Sequence, residues 1–310
     1  MYKYVIKRLL LLIPTLFGVV LTVFTILALL PGDPGRLILG IEAEQEAVDQ
    51  FNEELGLNRP FAVRFLDYVK NVVTRFDFGE SYRTRQPVVN DIMQRVPKTV
   101  KLATLSVIMV VILGVPLGIL SAVKRSTIVD ASITVYAMFL AAIPSFWLGL
   151  MFMYVFSLVL GWFPTYGSET LLHFVLPVAT LSIPGSSGFI RLTRVTMLEV
   201  VNQEYIKTAR AKGAPEAIVI WKHAFKNAVL PLINGTGLTF SGLLGGTVII
   251  ENIFSIMGIG KLVVTAIQQR DIPIVMGSTI FLATIFMMIV LIIDLLYAFV
   301  DPRIRAKFSQ

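Results

Sequence analysis

The sequence predicts an all-α polytopic membrane protein with six spans. Of its 310 residues, 55% are hydrophobic and only 15% are charged, whereas soluble domains carry about 25% charged residues. Several runs lack charge over about 18 residues or more, which is the length that a helix needs to cross a hydrocarbon core of ~30 Å. A transmembrane β-barrel would instead show shorter segments of alternating hydrophobicity.

The first apolar run follows three basic residues and resembles a signal peptide, but its length favours a span that is retained. The run from Leu9 to Leu30 exceeds the roughly 7–15 apolar residues of a signal-peptide core, and no small-x-small cleavage site follows it. Proline and glycine interrupt several later runs, which helix bundles tolerate. The six predicted spans are 9–30, 100–123, 131–160, 171–190, 231–250 and 278–299.

The distribution of lysine and arginine predicts the orientation of the chain. If the amino terminus is cytoplasmic, the cytoplasmic segments 1–8, 124–130, 191–226 and 301–310 hold 15 basic and 5 acidic residues. The segment 31–98 holds 9 basic and 11 acidic residues. Because basic loops tend to stay in the cytoplasm, both termini are predicted to be cytoplasmic and 31–98 to lie outside.

The segment 31–98 is too long for a simple connection and predicts a small extracytoplasmic subdomain. Residues 42–55 have helical composition and end at Gly56. Apolar residues at helical spacing from Phe61 to Val73 predict an amphipathic helix lying on the membrane surface, and residues 77–81 predict a turn. The other predicted divisions are the amino-terminal end with the first span (1–30), the transmembrane core (99–303) and a cytoplasmic tail (304–310).

Residues 251–277 match neither a clean span nor a clean loop. They contain Gly258-Ile259-Gly260, a short apolar helix and then Arg270–Pro273. This composition predicts a partly inserted hairpin on the outer side, because irregular backbone at membrane depth is tolerated when it is buried in protein or lines a water-filled cavity.

The sequence offers little for catalysis, metal binding or cofactor binding. It has no cysteine, and His173 and His223 lie far apart, so no metal site is expected. Gly260-Lys261 lacks the flanking residues of a phosphate-binding loop. Asp294 is an acidic residue inside a predicted span, and we expect it to make a structural hydrogen bond or ion pair rather than to have a catalytic role. We therefore expect neither an enzyme nor a bound cofactor, and we attribute the net charge of +7 to membrane topology rather than to nucleic acid binding.

The polar, basic segment 191–230 lies between two long apolar runs and predicts a docking element. Within it, two helix-forming halves break at Gly213-Ala214-Pro215. Gly213 permits a sharp turn, and Pro215 and Glu216 suit the first turn of a second helix. An amphipathic interfacial helix without a partner also fits, because basic residues and Trp221 are typical of such helices. Periodicity alone leaves both interpretations open.

This segment resembles the cytoplasmic coupling loop of bacterial ABC importer permeases. Gly213 stands at the glycine of that loop's signature, and Lys207-Thr208-Ala209 stand at its Glu-Ala-Ala, of which only the second Ala matches. His223 and Phe225-Lys226 replace the Ile and the Leu-Pro of the general signature. The departures agree with the subfamily for peptides and nickel, whose pattern is similar to Tyr205–Gly213 and Lys222–Ala228. Other subfamily landmarks are Leu30–Pro34, Leu55–Pro60, Asp77–Ser81, Pro144–Trp147, Arg270–Pro273 and Asp301–Arg303.

The resemblance implies a first ("B-type") permease subunit of an importer in the bacterial inner membrane, a lipid-embedded protein without catalysis of its own. An extracytoplasmic solute-binding protein would deliver peptide, a second permease would complete the channel, and two ATPase subunits would bind the coupling loop. The residues expected to contact the ATPases are Lys207, Thr208, Ala209, Arg210, Gly213, Ala214, Pro215 and Glu216. The residues expected to line the pathway are Pro144, Ser145, Trp147, Gly242, Gly245 and Gly246.

Several alternatives remain open from the sequence. The solute could be nickel, an opine or glutathione within the same family, and Arg210 and Lys212 could instead attract anionic lipid. A secondary transporter driven by an ion gradient would be expected to carry midplane charges and ion-coordinating broken helices. The glycine pairs Gly114/Gly118 and Gly242/Gly246 favour close helix packing, with a bendable pathway lining as the second interpretation.

Overall fold

The protein is described by a computed structural model over residues 2–29, 34–40 and 42–300. These residues form α-helices and two π-helical segments but no strand, apart from an isolated antiparallel bridge between Glu80 and Pro87. Outside the described residues lie the side chain of Asp294, most of the landmark Leu30–Pro34, the landmark Asp301–Arg303 and the predicted tail 304–310.

The first half of the chain contains α1 (Tyr2–Ala28), α2 (Pro34–Leu39), α3 (Gln45–Glu54), α4 (Phe61–Arg75), α5 (Val88–Val123), α6 (Ile128–Ala142), α7 (Ser145–Phe152) and π1 (Met153–Val159). The second half contains α8 (Leu172–Val201), α9 (Glu204–Ala211), α10 (Glu216–Ile218), π2 (Val219–Phe225), α11 (Lys226–Ile253), α12 (Ile259–Gln269) and α13 (Ile272–Val300).

The predicted number of membrane spans agrees with the structure. Within the described part of the chain, five helical stretches are long and apolar enough to cross a membrane, and α6 with α7–π1 forms a sixth if this bent pair is one span. Several helices are longer than the spans predicted for them. The predicted span 171–190 becomes α8, which continues to Val201 because Arg191 and Arg194 extend it beyond the apolar run without breaking its helical periodicity.

The predicted third span, 131–160, is a bent pair of helices rather than one straight helix. The chain bends by 89° between α6 and α7. Ile143 leaves the helical region, with φ −78° and ψ 119°, and Pro144 precedes the first residue of α7. A proline disfavours helical geometry in the residue before it, so the Ile143-Pro144 pair ends α6.

One compact unit consists of Ile6–Pro97 together with Met257–Met287. It contains the predicted amphipathic helix, now α4, and the predicted short helix after Gly258, now α12. The α3 helix has Leu55 as its C-cap, and the next residue, Gly56, is left-handed at φ +67°. The Leu57 amide donates to the Asn52 carbonyl at 2.9 Å. Glycine is favoured there because it has no Cβ to clash in this conformation. The buried core of this unit comprises Phe24, Phe65, Phe78, Val88, Ile92, Ile259, Leu262, Ala266, Ile274, Val275, Met276 and Ile280.

A buried carboxylate, Asp271, fixes the irregular segment between α4 and α5. Asp271 and Ser81 are each 1% exposed. The Ser81 hydroxyl donates to Asp271 Oδ2 at 2.5 Å, and the amides of Tyr82 and Arg83 donate to the same carboxylate at 3.2 and 3.4 Å. The predicted turn at 77–81 is therefore held by a residue about 190 positions away in the sequence.

The other unit is built mainly on Lys98–Ile256. In it, α6, α7 and α11 all pack against α8. The α5 and α8 helices come very close: a Cβ on Gly114 would lie 2.9 Å from Phe189 Cβ, and one on Gly118 would lie 2.4 Å from Thr193 Cβ. Close packing, the first interpretation of the Gly114/Gly118 pair, is thus confirmed. It does not hold for Gly242/Gly246 within this chain, since a Cβ on either would meet nothing within 4 Å.

Candidate coupling segment and pathway

The helix break predicted at Gly213 is a tight, hydrogen-bonded turn. Gly213 has φ +78°, in the left-handed region, and follows Lys212, the C-cap of α9. Its amide donates to the Arg210 carbonyl at 2.9 Å, and the Ala214 amide donates to the Ala209 carbonyl at 3.3 Å. These two bonds form a Schellman motif, which satisfies carbonyl groups at the end of a helix. The chain then enters α10, with Pro215 at the N-cap.

The turn rests on a hydrophobic patch that we call the anchor cluster. The α9 helix contributes Ile206, and the α8 helix contributes Met197; both side chains are 0% exposed. The complete set of buried members is Ile119, Ala122, Met197, Ile206, Val219, Ala224 and Ala228. Because four helices and π2 meet in this patch, α9 is fixed to the body of its unit rather than suspended in a free loop.

The outward face of the turn carries a bidentate ion pair. Arg210 Nη2 lies 2.7 Å from Glu216 Oε1, and Arg210 Nε donates to Glu216 Oε2 at 3.1 Å. The two residues flank Gly213, so the pair closes the turn from outside. Hydrogen bonding to the Glu216 carboxylate raises the pKa of Arg210 above its ordinary value, and the guanidinium therefore stays charged. On the same helix, Lys207 Nζ lies 2.6 Å from Glu204 Oε1.

The structure separates the eight predicted coupling residues into two groups. Ala209 and Ala214 are half-buried and pack against the anchor cluster, so they support the turn from within. The other six residues are exposed and together form the outward face: Lys207, Thr208, Arg210, Gly213, Pro215 and Glu216. Exposed apolar side chains flank this face at Tyr205, Ile218 and Trp221.

The predicted pathway residues lie on two helices of the same unit that contact each other, α7 and α11. Pro144 and Ser145 stand at the bend between α6 and α7, and Trp147 is 48% exposed one turn later. Gly242, Gly245 and Gly246 lie on an exposed side of α11, with open space where a Cβ would be.

Sequence analysis missed two buried polar contacts in this unit. Asp130 of α6 pairs with Arg194 of α8, and the hydroxyl of Thr99 donates to Glu251 Oε1 at 2.7 Å. In the sequence, Arg194 and Asp130 indicate only membrane topology, and no periodicity links residues 64 positions apart. Glu251 begins the segment that follows the predicted fifth span, but in the structure it lies inside α11 and is 0% exposed. Among the described residues, no group of three acidic, histidine or cysteine side chains is arranged to hold a metal ion.

Two family profiles together match almost the whole chain. The family described as "Binding-protein-dependent transport system inner membrane component" matches residues 114–306, and its amino-terminal counterpart matches residues 1–103. The chain belongs to this family. It is thus a permease of the ABC importers, as the coupling-loop resemblance implied, and a multi-pass protein of the bacterial inner membrane. Membership implies that the permease works with a second permease, ATPase subunits and a binding protein.

Curated relatives match the permease over its full length. The glutathione transport system permease protein GsiC of Escherichia coli strain K12 is 39% identical over 307 residues, which are 99% of this chain and 100% of that protein. The protein of the same name from Shigella dysenteriae serotype 1 shows the same identity and coverage. Both are named as glutathione permeases.

Solved transporters share the fold. A chain of the MetNI methionine ABC transporter in an inward-facing conformation aligns with TM-score 0.58 and 18% identity, covering 67% of this permease and 95% of that chain. A chain of an amino acid ABC transporter solved with histidines aligns with TM-score 0.52 and 16% identity, covering 69% and 94%. At these identities the likeness concerns the fold alone.

Proposed function

We propose that this permease imports small peptides, in the size range of di- to oligopeptides and including glutathione, which an extracytoplasmic solute-binding protein delivers. The observation that carries the proposal is the full-length match at 39% identity to permeases named for glutathione, which is itself a tripeptide. The match of Tyr205–Gly213 and Lys222–Ala228 to the peptide and nickel subfamily supports the same solute class. Nickel complexes and opines are the competing solutes within that subfamily.

The test is uptake by the complete transporter reconstituted in proteoliposomes, with its second permease, ATPases and binding protein. We expect uptake of labelled di- and tripeptides or glutathione that requires both ATP and the binding protein. A panel containing nickel chelates and opines identifies the solute class. Uptake of a nickel chelate but of no peptide would overturn the peptide assignment, and uptake driven by an ion gradient without ATP would overturn the mechanism.

The ATPase subunits dock, in this proposal, on the turn around Gly213. Six of the eight predicted contact residues are exposed there, and the Schellman motif together with the Arg210–Glu216 pair makes the turn rigid before any partner binds. A preorganised surface loses less conformational entropy on binding than a flexible loop. The side chains of Arg210 and Glu216 therefore contribute to docking mainly by holding the turn, and their remaining polar surface lies at the rim of the ATPase groove.

The orientation in this proposal places the docking turn and both termini in the cytoplasm, with residues 31–98 outside. The excess of basic residues in 191–226 supports it, since such loops stay on the cytoplasmic side. The solute passes along the open side of α11, where Gly242, Gly245 and Gly246 leave space, and near the bend at Pro144, Ser145 and Trp147. The second permease encloses this side in the assembled transporter.

A further inference from the structure

An ion pair away from the docking turn is bidentate and has a buried carboxylate. Arg194 Nε and Nη2 each lie 2.8 Å from one oxygen of Asp130. The Ser121 hydroxyl donates to Asp130 Oδ1 at 2.6 Å, and the Ser126 amide donates to Oδ2 at 3.0 Å. Asp130 is only 6% exposed. Four donors thus saturate one buried carboxylate.

This cluster joins three helices at one level. Ser121 is near the end of α5, Asp130 is in the first turn of α6, and Arg194 is on α8. Next to it, Gly118 of α5 meets α8 so closely that a Cβ would lie 2.7 Å from the Ile190 carbonyl oxygen. Small residues and a bidentate pair therefore fix α8 against α5 and α6 both in distance and in rotation.

The same stretch of α8 leads directly into the docking turn. Met197, about one turn after Arg194, is fully buried in the anchor cluster with Ile206 of α9. Only Asn202 and Gln203 separate the end of α8 from the start of α9. A displacement of α9 is thus transferred to α8 within two helical turns of the Asp130–Arg194 pair.

We propose that Asp130 and Arg194 are positioning residues for energy coupling: they make the α5–α6 turn and the end of α8 move as one body with the docking turn. This inference rests on the proposed docking of ATPases at Gly213. A buried ion pair usually adds little to stability, because the cost of desolvating two charges offsets their attraction. Its bidentate geometry instead fixes orientation, which is what the transfer of motion between helices requires.

The decisive variant is Arg194→Lys. Lysine keeps the positive charge beside Asp130 but is a point donor and cannot pair with both carboxylate oxygens in the fixed fork of arginine. The matched control is Arg191→Lys, which makes the same change at an exposed position about one turn earlier on α8. Both variants are assembled in the complete transporter, and solute uptake and ATP hydrolysis are measured together.

We expect Arg194→Lys to assemble with its partners and to hydrolyse ATP, but to transport roughly 3- to 10-fold fewer solute molecules per ATP than wild type, an effect in the range of mutations that alter coupling between sites. Arg191→Lys is expected to keep the wild-type ratio. A purely stabilising role would lower the amount of transporter and leave this ratio unchanged. An unchanged ratio in assembled Arg194→Lys transporter overturns the inference.

The double variant Asp130→Asn/Arg194→Gln keeps the test decisive if Arg194→Lys does not fold or assemble. It removes both charges together, so no uncompensated charge remains buried, and its amides retain hydrogen-bonding capacity. We expect it to assemble and still to show the reduced ratio of transport to ATP hydrolysis, and a wild-type ratio would overturn the inference. Failure of the docking proposal itself is distinguishable, because Gly213→Pro would then leave ATP-driven uptake at the wild-type level.

Discussion

At the scale of single residues, two kinds of residue determine the local structure. The first are polar side chains that are buried together with their hydrogen-bond partners. The second are glycines in a left-handed backbone conformation, which is unfavourable for other residues. Asp271 and Asp130 are of the first kind, and each accepts hydrogen bonds from an irregular segment that connects two helices. Gly213 is of the second kind. Their effects differ, since removing a buried acceptor leaves donors unsatisfied, whereas replacing a left-handed glycine strains the backbone.

Replacing Asp271 with Ala is expected to destabilise the protein. The Ser81 hydroxyl and two backbone amides lose a charged acceptor, a loss of about 2–3 kcal/mol. The measurement is thermal unfolding of the purified permease in detergent. Asp67→Ala is the control, because Asp67 is exposed and its ion pair with Arg59 at 3.4 Å is a surface contact of small energetic value. Equal unfolding temperatures for the two variants would contradict the prediction.

Replacing Gly213 with Ala is expected to strain the docking turn without any steric clash. A Cβ there meets nothing within 4 Å, so the cost of about 1–2 kcal/mol comes only from the left-handed backbone. Gly213→Pro is more severe, because proline also removes the amide that bonds to the Arg210 carbonyl. We expect the Gly213→Pro permease to remain folded when purified but to lose ATP-driven uptake in the assembled transporter. Gly188→Ala, in open space within α8, is the control that should retain uptake; wild-type uptake by Gly213→Pro would be inconsistent with docking at this turn.

At the scale of elements, helix contacts distinguish glycines that look alike in sequence. Gly114 and Gly118 lie where α5 and α8 touch, whereas Gly242 and Gly246 lie on an open side of α11. The bend after α6 is a second example, since Pro144 marks its position but not its angle of 89°.

Substituting the two groups of glycines is expected to give opposite results. Gly118→Ala places a Cβ 2.4 Å from Thr193 Cβ, and such overpacking costs about 1–3 kcal/mol. Gly242→Ala should leave the stability of the isolated permease unchanged or slightly raised, because alanine favours a helix. Thermal unfolding in detergent is the measurement, and the unfolding temperature should fall for Gly118→Ala but not for Gly242→Ala.

The functional consequence of the open α11 side is tested with Gly242→Leu. If the pathway or the second permease occupies this side, the larger side chain should reduce uptake by the assembled transporter while the isolated permease unfolds at the wild-type temperature. Uptake at the wild-type rate would argue against Gly242 as a pathway residue.

For the whole molecule, the central property is its orientation in the membrane, because ATPases can act only on the cytoplasmic side. The chain has no cysteine, so single cysteines can be introduced without a background of native thiols. The exposed residues Glu46 in α3 and Lys212 beside the docking turn are suitable positions.

A membrane-impermeant maleimide is expected to label Glu46→Cys in intact spheroplasts and to label Lys212→Cys only after the membrane is permeabilised. The reason is the positive-inside distribution of lysine and arginine. Blocking with a permeant maleimide first serves as the control for specific labelling. Labelling of Lys212→Cys from outside would reverse the topology and exclude docking of ATPases at Gly213.

The sequence by itself determined where most of the helices lie and where the docking turn is. Long uncharged runs, the glycine before Ala214-Pro215 and the apolar spacing from Phe61 to Val73 are local properties, so they can be found one segment at a time. The resemblance to a family of permeases could be found in the same way, because the residues of its motif from Tyr205 to Gly213 are contiguous in the sequence.

Only the tertiary structure decided which distant residues meet. Ser81 with Asp271 and Asp130 with Arg194 join parts of the chain 190 and 64 positions apart, and no local periodicity records such a pairing. The structure likewise decided that one glycine pair packs tightly while the other stays open. The physical reason is that burial depends on which surfaces come together in space, and a side chain's own segment specifies only the face on which it lies.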